Sequence, residues 1–186
     1  GVLVSSLVLF AGNAIATPYV GGNATATGSD AIAIGERANA SGVNGIAIGK
    51  DSVADRKHAV ALGESAQALG DDGVAVGTRA KALANYSTAL GNQSTAKKEW
   101  DLAVGYNTIA SGGSSTAVGF GAISTGEASN AIGGSSLAEG KWSTAIGQQS
   151  YAKGNFALAV GYKNQALGEQ STAVGFGSES TGYGSN

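Results

Sequence analysis

A tripeptide of alanine, then isoleucine, valine or leucine, then glycine recurs with a strict 14-residue period in this chain, without an insertion or a deletion. The first copy is Ala33-Ile34-Gly35 and the last is Ala173-Val174-Gly175, so eleven consecutive units share one length. Repetition at a fixed period indicates an architecture in which each unit packs only on its neighbours. The repeat therefore predicts a solenoid.

The composition agrees with a repeat protein and excludes several functional classes. The chain has 31 glycines and only 13% charged residues, so few side chains could fill a layered globular core. Because cysteine is absent, a disulfide framework and a thiolate metal site are both excluded. A net charge of −2 gives no electrostatic footprint for nucleic acid, and we expect no such partner.

The amino-terminal segment has the pattern of a secretory signal. Residues 2–10 are uncharged and apolar, and Ala14-Ile15-Ala16 has the small-x-small form of a signal-peptidase site. We interpret residues 1–16 as a signal-peptide remnant, 17–30 as a lead-in and 31–186 as the repeat domain. The apolar run is too short for a transmembrane helix, which needs about 20 residues. A buried first strand is the alternative interpretation of this short run.

In addition to the 14-residue repeat, the sequence contains a longer duplication. Residues 87–130 match residues 143–186 without a gap, so the second block is displaced from the first by four units. Asn130 is followed by another copy of the tripeptide, so we expect its counterpart Asn186 to be followed by one as well. We therefore expect the repeat domain to be truncated at its carboxyl-terminal end.

One unit shows two short stretches with a side-chain period of two. In Ile46-Ala47-Ile48 the alanine faces one way and the isoleucines the other, and in Ser52-Val53-Ala54 the valine is opposite its neighbours. Such alternation indicates β-strands. We predict two strands of about five residues and two tight bends per coil. Successive coils would pair at about 4.8 Å, which makes eleven coils a rod of about 50 Å.

Residue size predicts which face of the coil is inside. A 14-residue coil encloses a narrow tube, so the alanines of the tripeptides and a column of serine and alanine that includes Ser52 should line it, and the bulky residues should point outward. A soluble monomer rarely tolerates so long an apolar patch, and we expect self-association to cover it. This apolar stripe consists of Ile34, Ile48, Leu62, Val76, Leu90, Val104, Val118, Ile132, Ile146, Val160 and Val174.

The unit at residues 44–52, Asn-Gly-Ile-Ala-Ile-Gly-Lys-Asp-Ser, resembles the head of the trimeric autotransporter adhesins, the YadA-like proteins of Gram-negative outer membranes. The resemblance extends from about residue 19 to residue 186. It implies an all-β solenoid, a left-handed parallel β-roll of 14-residue coils, and a homotrimer packed on the apolar stripes. It also implies export to the bacterial cell surface, with an outer-membrane anchor in a carboxyl-terminal region outside this chain and a head that is not in the membrane.

The resemblance implies a function in adhesion and virulence rather than catalysis. Heads of this family attach to host matrix proteins such as collagen, to cell-surface receptors or glycans, or to other bacteria. The family's collagen-binding motif is Asn-Ser-Val-Ala-Ile-Gly-x-x-Ser, and only residues 44–52 approach it, with Gly45 in place of serine and Ile46 in place of valine. Asn44 and Ser52 are therefore candidate ligand-binding residues, although packing alone would also explain most of this pattern.

Aromatic residues are the other candidates for ligand binding. They fall in two columns beside the bends, where neighbours one coil apart should stack. Aromatic residues dominate contact energies at interfaces, but stacked pairs also stabilise neighbouring strands, and both interpretations stay open. The candidates are Tyr86, Trp100, Tyr106 and Phe120, and their counterparts four units later, Trp142, Phe156, Tyr162 and Phe176.

The sequence offers little for catalysis, and we predict no enzymatic activity, no cofactor and no metal. His58 is the only histidine, so a nucleophile would lack its usual partners. Glu64, Asp71 and Asp72 are close in sequence, but a glycosidase needs two carboxylates across a cleft. A glycan-degrading β-helix of the phage-tail-spike kind is one alternative function for these residues.

An ice-binding or other repetitive-surface-binding solenoid is a second alternative. Threonines at positions 88, 116, 144 and 172 recur every second coil. A flat ice face should present a threonine on every coil, whereas Leu102, Asn130 and Leu158 occupy the positions between them. This irregularity argues against the alternative.

Overall fold

The computed structural model of the chain describes residues 19–21 and 23–186. The predicted signal remnant, residues 1–16, lies outside the described residues. Two parallel sheets of 12 strands each contain every strand of the described part. The odd-numbered strands, which contain the tripeptides, form sheet 1, and the even-numbered strands form sheet 2.

The strands are short and alternate between the two sheets. In chain order they are β1 (Tyr19–Gly21), β2 (Thr25–Ala26), β3 (Ile32–Ile34), β4 (Asn39–Ala40), β5 (Ile46–Ile48), β6 (Val53–Ala54), β7 (Val60–Leu62), β8 (Gln67–Ala68), β9 (Val74–Val76), β10 (Lys81–Ala82), β11 (Thr88–Leu90), β12 (Thr95–Ala96), β13 (Leu102–Val104), β14 (Ile109–Ala110), β15 (Thr116–Val118), β16 (Ile123–Ser124), β17 (Asn130–Ile132), β18 (Leu137–Ala138), β19 (Thr144–Ile146), β20 (Tyr151–Ala152), β21 (Leu158–Tyr162), β22 (Gln165–Ala166), β23 (Thr172–Phe176) and β24 (Glu179–Ser180).

The register places each residue directly over its equivalent in the next coil. Ala47 pairs with Ala33 on one side and with Ala61 on the other, so each coil is one repeat unit long. The predicted parallel β-solenoid of 14-residue coils is therefore confirmed. The fold also includes a coil within the lead-in, where Tyr19 pairs with Ile32 and the coil is one residue shorter than the repeat unit.

The predicted strand length of about five residues was wrong for most coils. Strands of sheet 1 have three residues and those of sheet 2 have two, except β21 and β23, which have five. The bends are the reason, because each contains a residue in the left-handed region, such as Asp51 with φ 57° and His58 with φ 55°. A residue in that conformation cannot continue a strand.

Small side chains fill the tube, as their size predicted. Ala47, Ser52, Ala54 and Ala59 are all completely buried, and the same four columns are buried along the roll. The bulky residues of the tripeptides point outward, and Ile48 is 38% exposed in the single chain. The interior is therefore too narrow to hold a ligand.

The glycine of the tripeptide is required by its backbone and by the coil above it. Gly49 has φ 128°, and a Cβ atom on it would lie 2.5 Å from the carbonyl oxygen of Gly63. L-residues rarely adopt such a φ, and the contact with backbone could not relax without separating the coils. The invariant third position therefore follows from the close stacking of successive bends.

In the described residues no helix has the length and apolar character needed to cross a membrane.

Candidate functional site

The outward face of sheet 1 brings the predicted apolar stripe together in one column. Val104 pairs with Val118, and Val118 pairs with Ile132, and this register holds along the sheet. Each stripe residue is half-buried or exposed in the single chain. A neighbouring column that begins with Ile32 and Ile46 widens the apolar face over the first four coils. The candidate interface residues therefore form one continuous surface.

Two bends in each coil position the remaining candidates. We call the segment between a sheet 1 strand and the following sheet 2 strand the first bend, as at residues 49–52. The second bend leads from sheet 2 back to sheet 1, as at residues 55–59. Each bend has one residue in the left-handed region, and we call its place the left-handed position of that bend. Asp51 and Ser65 occupy it in successive first bends, and Asn44 and His58 occupy it in successive second bends.

The second bend holds two stacked aromatic pairs. The rings of Tyr86 and Trp100 have centroids 4.2 Å apart and planes 10° apart, and those of Trp142 and Phe156 are 5.0 Å and 23° apart. All four residues have positive φ and are exposed, Trp100 by 59% and Trp142 by 51%. The predicted stacking of neighbouring coils is confirmed for this column.

The other two pairs follow the glycine of the tripeptide. Tyr106 stacks on Phe120 in the first bend with centroids 5.4 Å apart, and Tyr162 stacks on Phe176 at 5.2 Å, where these residues end β21 and β23. The ammonium nitrogen of Lys163 lies 5.1 Å from the centroid of the Tyr162 ring, a distance typical of a cation–π contact. The predicted stacking is therefore confirmed for this column as well. It is compatible with both predicted roles, because each ring contacts a ring in the neighbouring coil and also exposes part of its surface to solvent.

Trp100 has one ring face against Tyr86 and the other toward small residues. The next coils place Ser114 and Ala128 at the equivalent position. A shallow, open depression of about 530 Å³ lies here, with Trp100, Lys98, Gly113 and Ser114 among its lining residues. The open face of this indole is therefore available to a planar or ring-shaped group.

Asn44 and Ser52 differ in their exposure. Asn44 lies at the second bend, is exposed and has φ 57°. Ser52 is fully buried, and its hydroxyl donates a hydrogen bond to the carbonyl oxygen of Gly49 at 2.8 Å. Only Asn44 of this pair is presented to solvent.

The acidic residues considered for catalysis do not form a pair across a cleft. Glu64 lies in the first bend, whereas Asp71 and Asp72 lie in the second, beyond strand β8. The His58 Nδ1 atom is 2.9 Å from Asp72 Oδ1 in an exposed contact. Within the described ranges, no group of three or more histidine, cysteine, aspartate or glutamate side chains could hold a metal ion.

The threonines considered for ice binding alternate with other residues on sheet 1. Thr88 pairs with Leu102, which pairs with Thr116. Thr116 in turn pairs with Asn130. The face therefore has no continuous rank of threonines.

Two buried polar side chains were missed by the sequence analysis. Asp101 is fully buried, and its Oδ1 atom accepts hydrogen bonds from the backbone amides of Gly113 and Ser115 at 2.9 and 3.0 Å and from the Ser115 hydroxyl at 2.7 Å. Its Oδ2 atom accepts from the backbone amide of Lys98 at 2.8 Å. Asp101 interrupts a column of alanine, glycine and serine, and this departure from the column was the signal available in the sequence.

Asn164 has a similar structural role at the first bend. It is fully buried, accepts a hydrogen bond from the backbone amide of Ser178 at 2.8 Å and donates to the carbonyl oxygen of Gly175 at 2.7 Å. It also donates to the carbonyl oxygen of Val160. These contacts lie where strands β21 and β23 are longer than the others.

Comparison with known proteins agrees with the geometry. A search of the curated proteins found no match. The family model for the YadA head domain repeat, which describes two copies of the repeat, matches this chain many times in overlapping windows. The matched residues are 20–38, 26–52, 40–66, 57–80, 68–94, 101–122, 124–150, 143–164, 152–178 and 166–185.

These windows cover well over half of the chain and follow the coils of the roll. The family is that of trimeric autotransporter adhesin heads, which are not enzymes. The chain therefore belongs to the family of YadA head domain repeats.

Proposed function

We propose that this chain is the head of a bacterial surface adhesin and works as a homotrimer that attaches the cell to host matrix proteins, cell-surface receptors or glycans, or other bacteria. The observation that supports this proposal most directly is the apolar stripe, a continuous outward face on a member of an adhesin family. On this proposal the chain is exported and displayed at the outer membrane.

The stripe supports assembly because its apolar side chains are half-buried or exposed to solvent in the single chain. Full burial of a valine, leucine or isoleucine side chain is worth about 1.5–3 kcal/mol, and the stripe residues are already partly covered by their neighbours. Eleven such residues in line would still give a cooperative interface along the whole roll. Three copies packed on their sheet 1 faces would remove this surface from water.

The bends are the surfaces through which we propose that the head contacts its ligands. Exposed, pre-stacked rings lose little side-chain entropy on binding, and tryptophan and tyrosine are enriched at binding hot spots. Trp100 has an open ring face beside a shallow, open depression of about 530 Å³. Asn44 is an exposed residue of the segment closest to the collagen-binding motif, and we propose collagen as one of the ligands to be tested.

The test is binding of the purified head to a panel of matrix proteins and cell-surface glycans. We expect the double variant Trp100→Ala and Trp142→Ala to bind its best matrix-protein ligand at least about 30-fold less tightly, since a buried aromatic anchor is commonly worth about 2 kcal/mol or more. Tyr183→Ala is the matched control, because Tyr183 is also exposed but belongs to none of the four stacked pairs. Equal binding by the double variant and the wild type would exclude the aromatic pairs as the ligand site.

A further inference from the structure

A polar groove crosses sheet 2 on the face opposite the apolar stripe. Its volume is about 430 Å³. The lining consists only of polar side chains, and two of them, Arg79 and Lys81, are cationic. The uncharged members include Gln67, Gln93 and Thr95 from the neighbouring coils.

The repeat builds this groove from two parallel columns. One column is the left-handed position of the first bend, where Arg79 and Gln93 both have φ 59°. The other is the outward face of sheet 2, where Lys81 pairs with Gln67 and with Thr95. The groove runs along the roll over four coils, which is about 14 Å at the usual strand spacing.

The two cations of the groove are not neutralised by carboxylates. In the described part of the chain neither Arg79 nor Lys81 forms an ion pair within 4.0 Å. Arg37, at the same position of an earlier coil, is instead held by Asp51, with its Nε 2.6 Å from Oδ1. No carboxylate lines the groove. A bound anion would therefore meet two unpaired positive charges.

The groove also remains open when the stripe is covered. The stripe lies on sheet 1, and the groove lies on the outward face of sheet 2 and at the first bend. Each copy in an assembly packed on sheet 1 would thus present one groove to the surroundings. The chain is slightly acidic overall, with a net charge of −2, so the positive charge here is local.

We propose that this groove binds a segment of an acidic polysaccharide. A sulfate or carboxylate would lie between Arg79 and Lys81, since a guanidinium forms paired, charge-assisted hydrogen bonds with such groups. Sugar hydroxyls would exchange hydrogen bonds with the amide and hydroxyl side chains of Gln67, Gln93 and Thr95. A linear groove with mixed charged and neutral polar groups fits a chain of sugars. Nucleic acid is disfavoured because the lining has no aromatic ring on which bases could stack.

This site is separate from the aromatic pairs and does not depend on them. The test variant is Arg79→Gln with Lys81→Gln. Glutamine already occupies the equivalent positions of other coils, at Gln93 and Gln149 for the first residue and at Gln67 and Gln165 for the second, so the fold should be retained. The control variant is Arg56→Gln with Lys57→Gln, which removes the same charge from exposed residues of the second bend.

Binding of the purified head would be measured by fluorescence anisotropy with labelled heparin, hyaluronan, neutral dextran and single-stranded DNA, at about 0.15 M salt, where long-range attraction is screened. Heparin reports sulfate recognition and hyaluronan reports carboxylate recognition. We expect one or both to bind and dextran not to bind. The groove variant should bind at least about tenfold less tightly, because it lacks the charge-assisted hydrogen bonds of both cations to the anion, and the control less than about threefold.

Three results would overturn the inference. They are the absence of binding to both acidic glycans, an equal loss in the control variant, or equally tight binding of DNA, which would indicate a general polyanion surface. Trp100→Ala with Trp142→Ala should bind acidic glycan as the wild type does. Adhesion through the aromatic pairs and glycan binding in the groove can therefore fail independently.

Discussion

Trp100 lies flat on Tyr86, one coil away, with ring centroids 4.2 Å apart and ring planes 10° apart. Both residues occupy the left-handed position of the second bend, where the backbone directs successive side chains outward in parallel. Four units later Trp142 and Phe156 repeat the arrangement. A duplicated four-coil block thus produces two similar aromatic surfaces on one rod, and their roles can be separated from the role of the apolar stripe by mutation.

Val104→Asp should disrupt assembly without unfolding the roll. Val104 is half-buried on the outward face of sheet 1, so the aspartate would be hydrated in the single chain but buried without a partner in the trimer, which is costly. We expect sedimentation-velocity ultracentrifugation to show folded monomers. Ile109→Asp is the control, since Ile109 is also half-buried but lies on sheet 2. Intact trimers of the Val104 variant would contradict the placement of the interface.

Gly49→Ala should destabilise the roll far more than Gly177→Ala. A Cβ atom at Gly49 would lie 2.5 Å from a backbone oxygen of the next coil, with φ at 128°, whereas Gly177 has φ 63° and nothing within 4 Å of its position for Cβ. We expect a loss of about 3 kcal/mol or more at Gly49 and about 1 kcal/mol at Gly177. Urea denaturation followed by circular dichroism measures both, and similar midpoints would refute the role of close coil stacking.

Asp101→Ala should be destabilising because three backbone amides would lose the carboxylate that accepts their hydrogen bonds. The backbone amides of Lys98, Gly113 and Ser115 all donate to the Asp101 carboxylate, and an unsatisfied buried donor costs about 1–3 kcal/mol. We expect a total loss of about 2 kcal/mol or more in the free energy of unfolding, since the Ser115 amide is buried and the other two are partly buried.

Two further variants test this explanation of Asp101. Asp101→Ser should recover part of the loss, since Ser87 at the equivalent position of the preceding coil accepts a hydrogen bond from the Ala84 amide. Asp72→Ala is the matched control on the surface, where its contact with His58 is exposed, and should cost about 1 kcal/mol at most. Equal effects of Asp101→Ala and Asp72→Ala on the urea midpoint would rule out the buried network.

Tyr151 should make stability sensitive to alkali. Burial raises the pKa of this phenol to about 12, and the hydrogen bond to Glu139 acts in the same direction. The unfolded phenol ionises near its ordinary pKa of about 10, so the folded state holds this proton more tightly. The stabilisation is complete below about pH 10 and is lost as the pH rises toward about 12.

Urea midpoints at pH 9 and pH 12 check this expectation by comparing the wild type with Tyr151→Phe. The wild type should lose more stability than the variant between the two pH values. Tyr183→Phe serves as the control, because Tyr183 is exposed and its hydroxyl makes no hydrogen bond within the described residues. An identical alkaline loss in the wild type and the Tyr151 variant would disprove the assignment.

The sequence analysis succeeded where a property depended on residue size and on the period alone. Alanine and serine had to line a tube this narrow, so the burial of Ala47 and Ser52 followed, as did the outward direction of Ile48. It failed on strand length, because the left-handed residues that shorten the strands, such as Asp51 and His58, have no fixed identity in the sequence. It also did not anticipate that an aspartate at position 101 could be fully satisfied inside the roll.

The sequence by itself determined the coil, the register and the direction in which large and small side chains point. The reason is that eleven units of the same length repeat the same pattern of large, small and turn-forming residues. Only the tertiary structure decided which residues of the first bend lie beside which residues on the outward face of sheet 2. Arg79, Lys81 and Gln93 belong to different positions and coils of the repeat, and they line one groove because the bend brings its left-handed residues beside the face of sheet 2.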